Sequence, residues 1–249
     1  MRAVILAGGK GTRLRPSTSV LPKPLMPIDG MPILNVVISQ LEKHGFHRIT
    51  LAVGHMADMI KAYFSDGSKF SVRIDYSHED RPLGTIGPLS LINDLPSDFL
   101  VMNGDLLTDL DFSEFLSYHK KHGACATIGT YSKKVEIEYG IVETNHNNEI
   151  IGYNEKPALD YQVSMGIYAF NSRMLDYVSR GHHLDFPDLV SLLIKNGEQV
   201  VRYPFDGYWM DVGCHADYEK AANDFEEMRE HFLGQLPLAM HKKAAVQGK

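Results

Sequence analysis

Glycines, bases and two carboxylates supply the chemistry in this chain of 249 residues. Gly8-Gly9-Lys10-Gly11-Thr12-Arg13 directly follows the apolar run Ala3-Val4-Ile5-Leu6-Ala7. Glycines let a backbone approach phosphate closely and aim successive N–H groups at oxyanions. Arg13 and Arg15 add charge, and Lys23, set between Pro22 and Pro24, adds another. No Walker sequence is present, and Leu14, three residues after Gly11, breaks a GxGxxG pattern. Asn103-Gly104-Asp105 closes the apolar run 99–102. A carboxylate at the carboxyl end of a buried strand lies where open α/β sheets bind ligands, although such a glycine and carboxylate can also form a turn. Trp209-Met210-Asp211-Val212-Gly213 offers a second carboxylate about a hundred residues later, or a capped turn before the next helix. Mg²⁺ takes one or two protein carboxylates and completes its octahedron with phosphates and water.

Three further segments stand in the second half: Tyr139-Gly140-Ile141-Val142, Glu155-Lys156-Pro157 and Met165-Gly166-Ile167-Tyr168. Gly140 and Gly166 read as interior strand glycines, which imply a bulge or close backbone approach. Glu155 and Lys156 on their own are an exposed pair of small energetic value. Gly84-Thr85, within Pro82-Leu83-Gly84-Thr85, suits the capping segment of a helix.

The string from Leu6 to Pro16, with Lys23-Pro24-Leu25 after it, resembles the signature of the sugar-1-phosphate nucleotidyltransferases, and the likeness covers residues 1–225. It implies a Rossmann-like nucleotide-diphospho-sugar transferase fold and substrates that are a nucleoside triphosphate and a sugar 1-phosphate. Leu6, Ala7, Gly8, Gly9, Gly11 and Thr12 would wrap the triphosphate, with Asn103 and Gly104 beside them. Arg13 and Lys23 would be catalytic, stabilising the leaving pyrophosphate, and Asp105 and Asp211 would hold Mg²⁺. Glu155 would bond sugar hydroxyls, Lys156 would bind the sugar's phosphate, and Gly140 and Gly166 would let the sugar lie against the backbone. Many relatives carry Asn where this chain has Ser164, whose hydroxyl is shorter and has one donor. The loop from Pro82 through Gly84 and Thr85 to Leu89 looks most like that of mannose- and heptose-1-phosphate guanylyltransferases. That implies GTP, with Gly84 against the base; related loops occur with other bases, so uridylyl, thymidylyl and cytidylyl donors stay open.

A catalytically silent, nucleotide-sugar-binding subunit would be expected to lose Arg13, Lys23 or an aspartate, and this chain keeps them all. A cytidylyltransferase of a small alcohol phosphate shares the first loop but has less use for the Glu155-Lys156-Pro157 and Gly166 segments. A glycosyltransferase DxD string does occur at Asp109-Leu110-Asp111, where a helix N-terminus is expected instead.

The elements that must position these residues follow the rhythm of an α/β fold with a mixed, mostly parallel central sheet flanked by helices. Strands are expected at 3–6, 48–53, 72–76 and 99–102. Helices are expected from Pro32 to a stop at Gly45, and over 57–64 and 85–93. The second half reads as strands at 124–131, 140–144, 150–153, 164–170 and 199–205, with a hairpin turn at Asn147-Asn148. Helices are expected over 185–194, capped by Asp185, and after Ala216. One nucleotidyltransferase domain over 1–230 and a helical or frayed tail over 231–249 are the simplest division, with no further catalytic module.

Composition narrows the partners. Lys plus Arg number 25 against 31 Asp plus Glu, a net charge of −6 that argues against nucleic acid. Cys125 and Cys214 lack CxxC spacing and suit free thiols in a reducing compartment. The twelve histidines include the adjacent pair His182-His183 but no HExxH, and they read as surface or loop residues. No leader and no apolar run near the roughly 20 residues of a membrane span are expected, so a cytoplasmic location without membrane partner follows. A homo-oligomer is left open.

Overall fold

Alternation along the first strand assigns residues to two layers. In the computed structural model, which describes residues 1–234, β1 (Arg2–Ala7) sends Ala3, Ile5 and Ala7 into one apolar cluster and Val4 into another. The short pair β2 (Pro27–Ile28) and β3 (Met31–Pro32) leads into α1 (Ile33–Lys43). β4 (Arg48–Val53), α2 (Ala57–Phe64) and β5 (Arg73–His78) follow. Next come β6 (Asp98–Asn103), β7 (Leu106–Thr108) and α3 (Phe112–His122). The second half contains β8 (Ala126–Glu136), β9 (Ile141–Thr144), β10 (Ile150–Asn154) and β11 (Ala158–Asn171). α4 (Phe186–Lys195), β12 (Val200–Phe205), β13 (Trp209–Asp211) and α5 (His215–Leu233) complete it.

The central sheet has seven strands in the order β12-β8-β11-β6-β1-β4-β5. β11 runs antiparallel to both β6 and β8, and the other neighbours pair in parallel. The sheet is therefore mixed and mostly parallel, as expected. One face packs on α1, α2 and α3 through Leu34, Leu41, Phe64, Phe112 and Phe115. The other packs on α4 through Leu189 and Leu193, together with Phe99 and Phe170. A third cluster joins Leu14 to Val212 and to Ala221, Phe225 and Phe232 of α5. Leu14, which spoils the GxGxxG pattern, thus anchors the glycine loop from beneath.

Four expectations are corrected. Residues 85–93 are not an α-helix; a short 3₁₀ helix spans Gly87–Leu91, closed by i→i+3 bonds from the Leu89 N–H to the Ile86 carbonyl and from the Ile92 N–H to the Leu89 carbonyl. Asp185 stands at the N-cap position of α4, yet its side chain makes no cap hydrogen bond there. Gly140 lies just before β9 rather than within a strand. His119 is a fully buried histidine, its Nδ1 2.7 Å from the Thr127 hydroxyl, and burial pushes its pKa down. Asn148, at φ 63°, does make the turn between β9 and β10, and the tail beyond Leu236 lies outside the described residues.

β8 and β11 extend beyond the sheet as a long antiparallel arm that also carries the β9–β10 hairpin. The outer halves of both strands are exposed. Asp111 caps α3 by accepting from the N–H groups of Ser113 and Glu114, so the Asp109-Leu110-Asp111 string does begin a helix.

Candidate active site

The loops that leave the carboxyl ends of β1, β4, β5 and β6 meet around one cleft of about 860 Å³. Open α/β sheets expose their loop N–H groups and helix starts at this edge. Every residue expected to touch nucleotide lines it, from Leu6 through Thr12 and Arg13 to Lys23, Pro82, Gly84, Thr85, Asn103 and Gly104. Gly11 takes φ 60°, and a Cβ there would stand 3.0 Å from Thr18 Cγ2 and 3.2 Å from Lys23 Cβ. The Thr18 hydroxyl donates to the Gly11 carbonyl at 2.8 Å and holds that turn closed.

Asp105 and Asp211 come together through pairing that neither string announces. β13 runs antiparallel to β7 with Asp211 opposite Leu106, and the Val212 N–H donates to the Asp105 carbonyl at 3.2 Å. Lys23 is 8% exposed; its ammonium forms an ion pair with Asp105 Oδ2 and lies 3.9 Å from Asp211 Oδ1. Burial first, and then the charge of Asp105, push the Asp211 carboxyl pKa up, while Lys23 and Arg13 oppose the rise. Asp105 Oδ1 is buried with no hydrogen-bond partner. An orphaned carboxylate oxygen beside a second carboxylate suits a hard divalent cation that completes its shell with phosphate and water. No cluster of three or more metal-ligating side chains occurs among the described residues.

Arg13 leans on the turn after β13. A Cβ on Gly213 would lie 3.2 Å from Arg13 Nη1, and His215 donates to the Arg15 carbonyl at 2.9 Å. The start of α5 therefore holds the basic end of the glycine loop beside Asp211.

The segments expected to hold the acceptor are gathered less closely. Gly166, at φ 71°, forms the bulge in β11 foreseen from its position, and a Cβ there would stand 2.6 Å from Asn103 Nδ2. The Ser164 hydroxyl donates to Tyr168 Oη and accepts from the Gly166 N–H, both at 3.3 Å. Glu155 and Lys156 are exposed on the arm and do not line the cleft. Gly140 faces the Tyr153 hydroxyl and Glu155 in close contact, and Tyr153 donates to Glu155 Oε2 at 3.0 Å. The absence of a side chain at Gly140 therefore admits this pair.

Sequence reasoning missed Glu79. It follows β5 and lines the cleft, accepting from the Leu83 N–H at 3.0 Å. A Cβ on Gly8 would stand 2.5 Å from Glu79 Oε1, and one on Gly54 2.9 Å from it. Both glycines thus make room for a carboxylate. Its position at the carboxyl end of an expected strand, just before Pro82-Leu83, was the available signal.

A glycine-rich first loop, a paired-carboxylate seat and basic residues between them, on a mostly parallel sheet, define a nucleotide-handling class of protein. The chain belongs to the nucleotidyl transferase family, whose model matches residues 2–228. It is 37% identical over 241 residues to the UTP–glucose-1-phosphate uridylyltransferase of Synechocystis, covering 89% of this chain and 62% of that protein. It is 36% identical to the mannose-1-phosphate guanyltransferase of Schizosaccharomyces pombe, covering 88% of this chain and 62% of that one. The chain thus spans under two thirds of these relatives' length. Among solved structures, HddC from Yersinia pseudotuberculosis matches with a TM-score of 0.70 at 27% identity, covering 90% of this chain and 99% of that one.

Proposed function

We propose that this chain transfers a nucleotidyl group from a nucleoside triphosphate to a sugar 1-phosphate and releases pyrophosphate. The observation that carries this reading is the carboxylate pair Asp105 and Asp211, with Lys23 across it, beside a glycine-lined cleft that Asp105 and Lys23 help to line. Mg²⁺, when bound by those carboxylates, would neutralise charge on both reacting phosphates. The glycine loop presents N–H groups to the triphosphate, and Arg13 stabilises the charge that grows on departing pyrophosphate. Lys23 leaves its carboxylate partners for phosphate oxygens as the nucleotide enters. Lys156 and Glu155 orient the acceptor, whose phosphate oxygen attacks the α-phosphorus in line. No covalent nucleophile is required. Free Cys125 and Cys214 agree with action in the reducing cytoplasm, and no helix among the described residues is long and apolar enough to cross a membrane.

We assign GTP as the preferred donor, with a mannose- or heptose-type 1-phosphate as acceptor. Guanine presents the N1 and N2 protons together, and the Glu79 carboxylate in the cleft is an acceptor suited to that edge. The similarity to mannose-1-phosphate guanyltransferases and to HddC, also crystallised as a complex with GMP-PN at 26% identity to this chain, supports the same base. The uridylyltransferase likeness makes UTP the competing donor. The test is pyrophosphate release with four nucleoside triphosphates crossed against a panel of sugar 1-phosphates at equal free Mg²⁺. A kcat/KM for GTP about 10²-fold above the others is expected from two unmatched hydrogen bonds. Preference for UTP, CTP or dTTP would refute the guanine assignment, and no turnover with any pair would refute the reaction.

A further inference from the structure

Asp185 occupies the N-cap position of α4, where an aspartate ordinarily accepts from its own helix and stabilises it. It does not do so here. Its Oδ1 instead accepts from the N–H of Thr85, 100 positions earlier, at 3.1 Å. Thr85 returns the bond: its hydroxyl oxygen accepts from the N–H of Phe186, the first residue of α4, at 2.7 Å. Thr85 thus supplies the bond at the start of α4 that Asp185 does not, and Asp185 holds the Thr85 backbone in return.

The exchange is the centre of a longer strap. The Leu184 N–H donates to the Leu83 carbonyl at 2.9 Å, and the Leu184 carbonyl accepts from Ile86 at 2.9 Å and Gly87 at 3.1 Å. The fit leaves no room for side chains. A Cβ on Gly84 would lie 2.6 Å from the Leu184 carbonyl oxygen and 2.7 Å from Asp185 Oδ1, and one on Gly87 2.5 Å from the His182 carbonyl oxygen. Gly84 also takes φ 78°, so its conformation and its neighbour both demand glycine. At the other end of the loop, the Leu83 N–H is held by Glu79. The base loop therefore hangs between two carboxylates, and both line the cleft.

We propose that Asp185 is a positioning residue for donor-base selection, acting through Thr85 and Gly84 rather than through α4. The inference rests on the cleft being the nucleotide site. A site that discriminates by hydrogen bonds needs its donors and acceptors held in place, and Asp185 holds the part of the loop farthest from β5.

The test uses the full chain with Asp185→Ala, Asp185→Asn and Asp185→Glu. Unlabelled GTP, ITP, UTP and CTP displace a fluorescent GTP analogue at equilibrium, so the readout does not depend on turnover. Asp185→Ala should weaken binding of the best donor about tenfold and narrow its advantage over the others by a similar factor. Asp185→Asn retains an Oδ1 acceptor for the Thr85 N–H and should restore most of that preference. Asp185→Glu moves the acceptor and should behave as Asp185→Ala does, which keeps the test alive if the alanine variant does not fold. In steady-state assays the loss should fall on the nucleotide KM and spare the sugar-phosphate KM. Unchanged base preference in both the alanine and glutamate variants overturns the proposal, as does an asparagine variant no better than alanine. A wild-type chain that binds none of the four nucleotides overturns the cleft reading and this proposal together. Binding without turnover would overturn only the reaction.

Discussion

The cleft and the arm are made on opposite principles. Around the cleft, the glycines at 8, 54, 84 and 87 each face a carboxylate or carbonyl where a Cβ would sit, so the loops are wedged into fixed positions. On the arm, Ile150 and Ile151 are 68% and 65% exposed, and Tyr139, Tyr153, Glu155 and Lys156 are also exposed. A hairpin with no buried face has few contacts that restrict it. On the proposed reading, nucleotide recognition would be built into the resting fold, whereas acceptor recognition would fall to solvent-facing groups that a ligand must organise. The contrast holds within single motifs too, since the string that supplies Lys23 buries it and the string that supplies Lys156 does not.

Substitutions at the carboxylate pair should have the largest effect. Asp105→Asn and Asp211→Asn should each lower kcat by about 10²- to 10³-fold. Their stabilities should diverge. Asp105→Asn removes the ion-pair partner of buried Lys23 and should cost about 2 kcal/mol in denaturant titration. Asp211 is held with its pKa raised, so its ionised form opposes folding at neutral pH, and its contribution worsens as pH rises through that value. Asp211→Asn should therefore leave stability equal or higher. Near-normal turnover in either variant at saturating Mg²⁺ would end the metal assignment.

Arg13→Ala comes next, with kcat lowered about 10²-fold and a smaller rise in nucleotide KM, because pyrophosphate gains charge mainly in the transition state. A change confined to KM would make Arg13 a ground-state binder.

On the arm the effects should be smaller and separable. Lys156→Ala should raise the sugar-phosphate KM about tenfold while calorimetry finds nucleotide affinity preserved. Lost nucleotide affinity with intact sugar-phosphate affinity would erase the division between the two regions. The least effect is expected from Ile150→Thr and Ile151→Thr, each within about 0.5 kcal/mol of wild type in stability. A larger loss would show that the arm is packed after all.

Much of this was legible in residues read along the chain. The apolar run before Gly8 predicted a buried strand feeding a glycine loop, and Asn103-Gly104-Asp105 predicted a carboxylate at a strand end. Gly166 announced its bulge. The 85–93 segment misled because Gly84-Thr85 suits a helix cap, whereas the chain there forms only a short 3₁₀ helix tied by backbone bonds to Leu184. His119 misled because composition treats histidine as polar, although its ring is buried between the Thr127 hydroxyl on β8 and Asp98. Glu79 carried no motif, and Asp185 read only as a helix cap.

What the sequence determined by itself is local: where strands alternate, where glycine permits a turn, and which charged side chains stand beside those turns. These depend on sterics and periodicity within a few residues. The order of strands in the sheet, and with it every contact across about a hundred residues, was decided only by tertiary structure. β7 and β13 bring Asp105 to Asp211, buried Lys23 is seated on both, and Thr85 and Asp185 exchange hydrogen bonds across the start of α4. Each of these is a distance through space, set when packed layers bury their apolar faces together, and no local spacing encodes it.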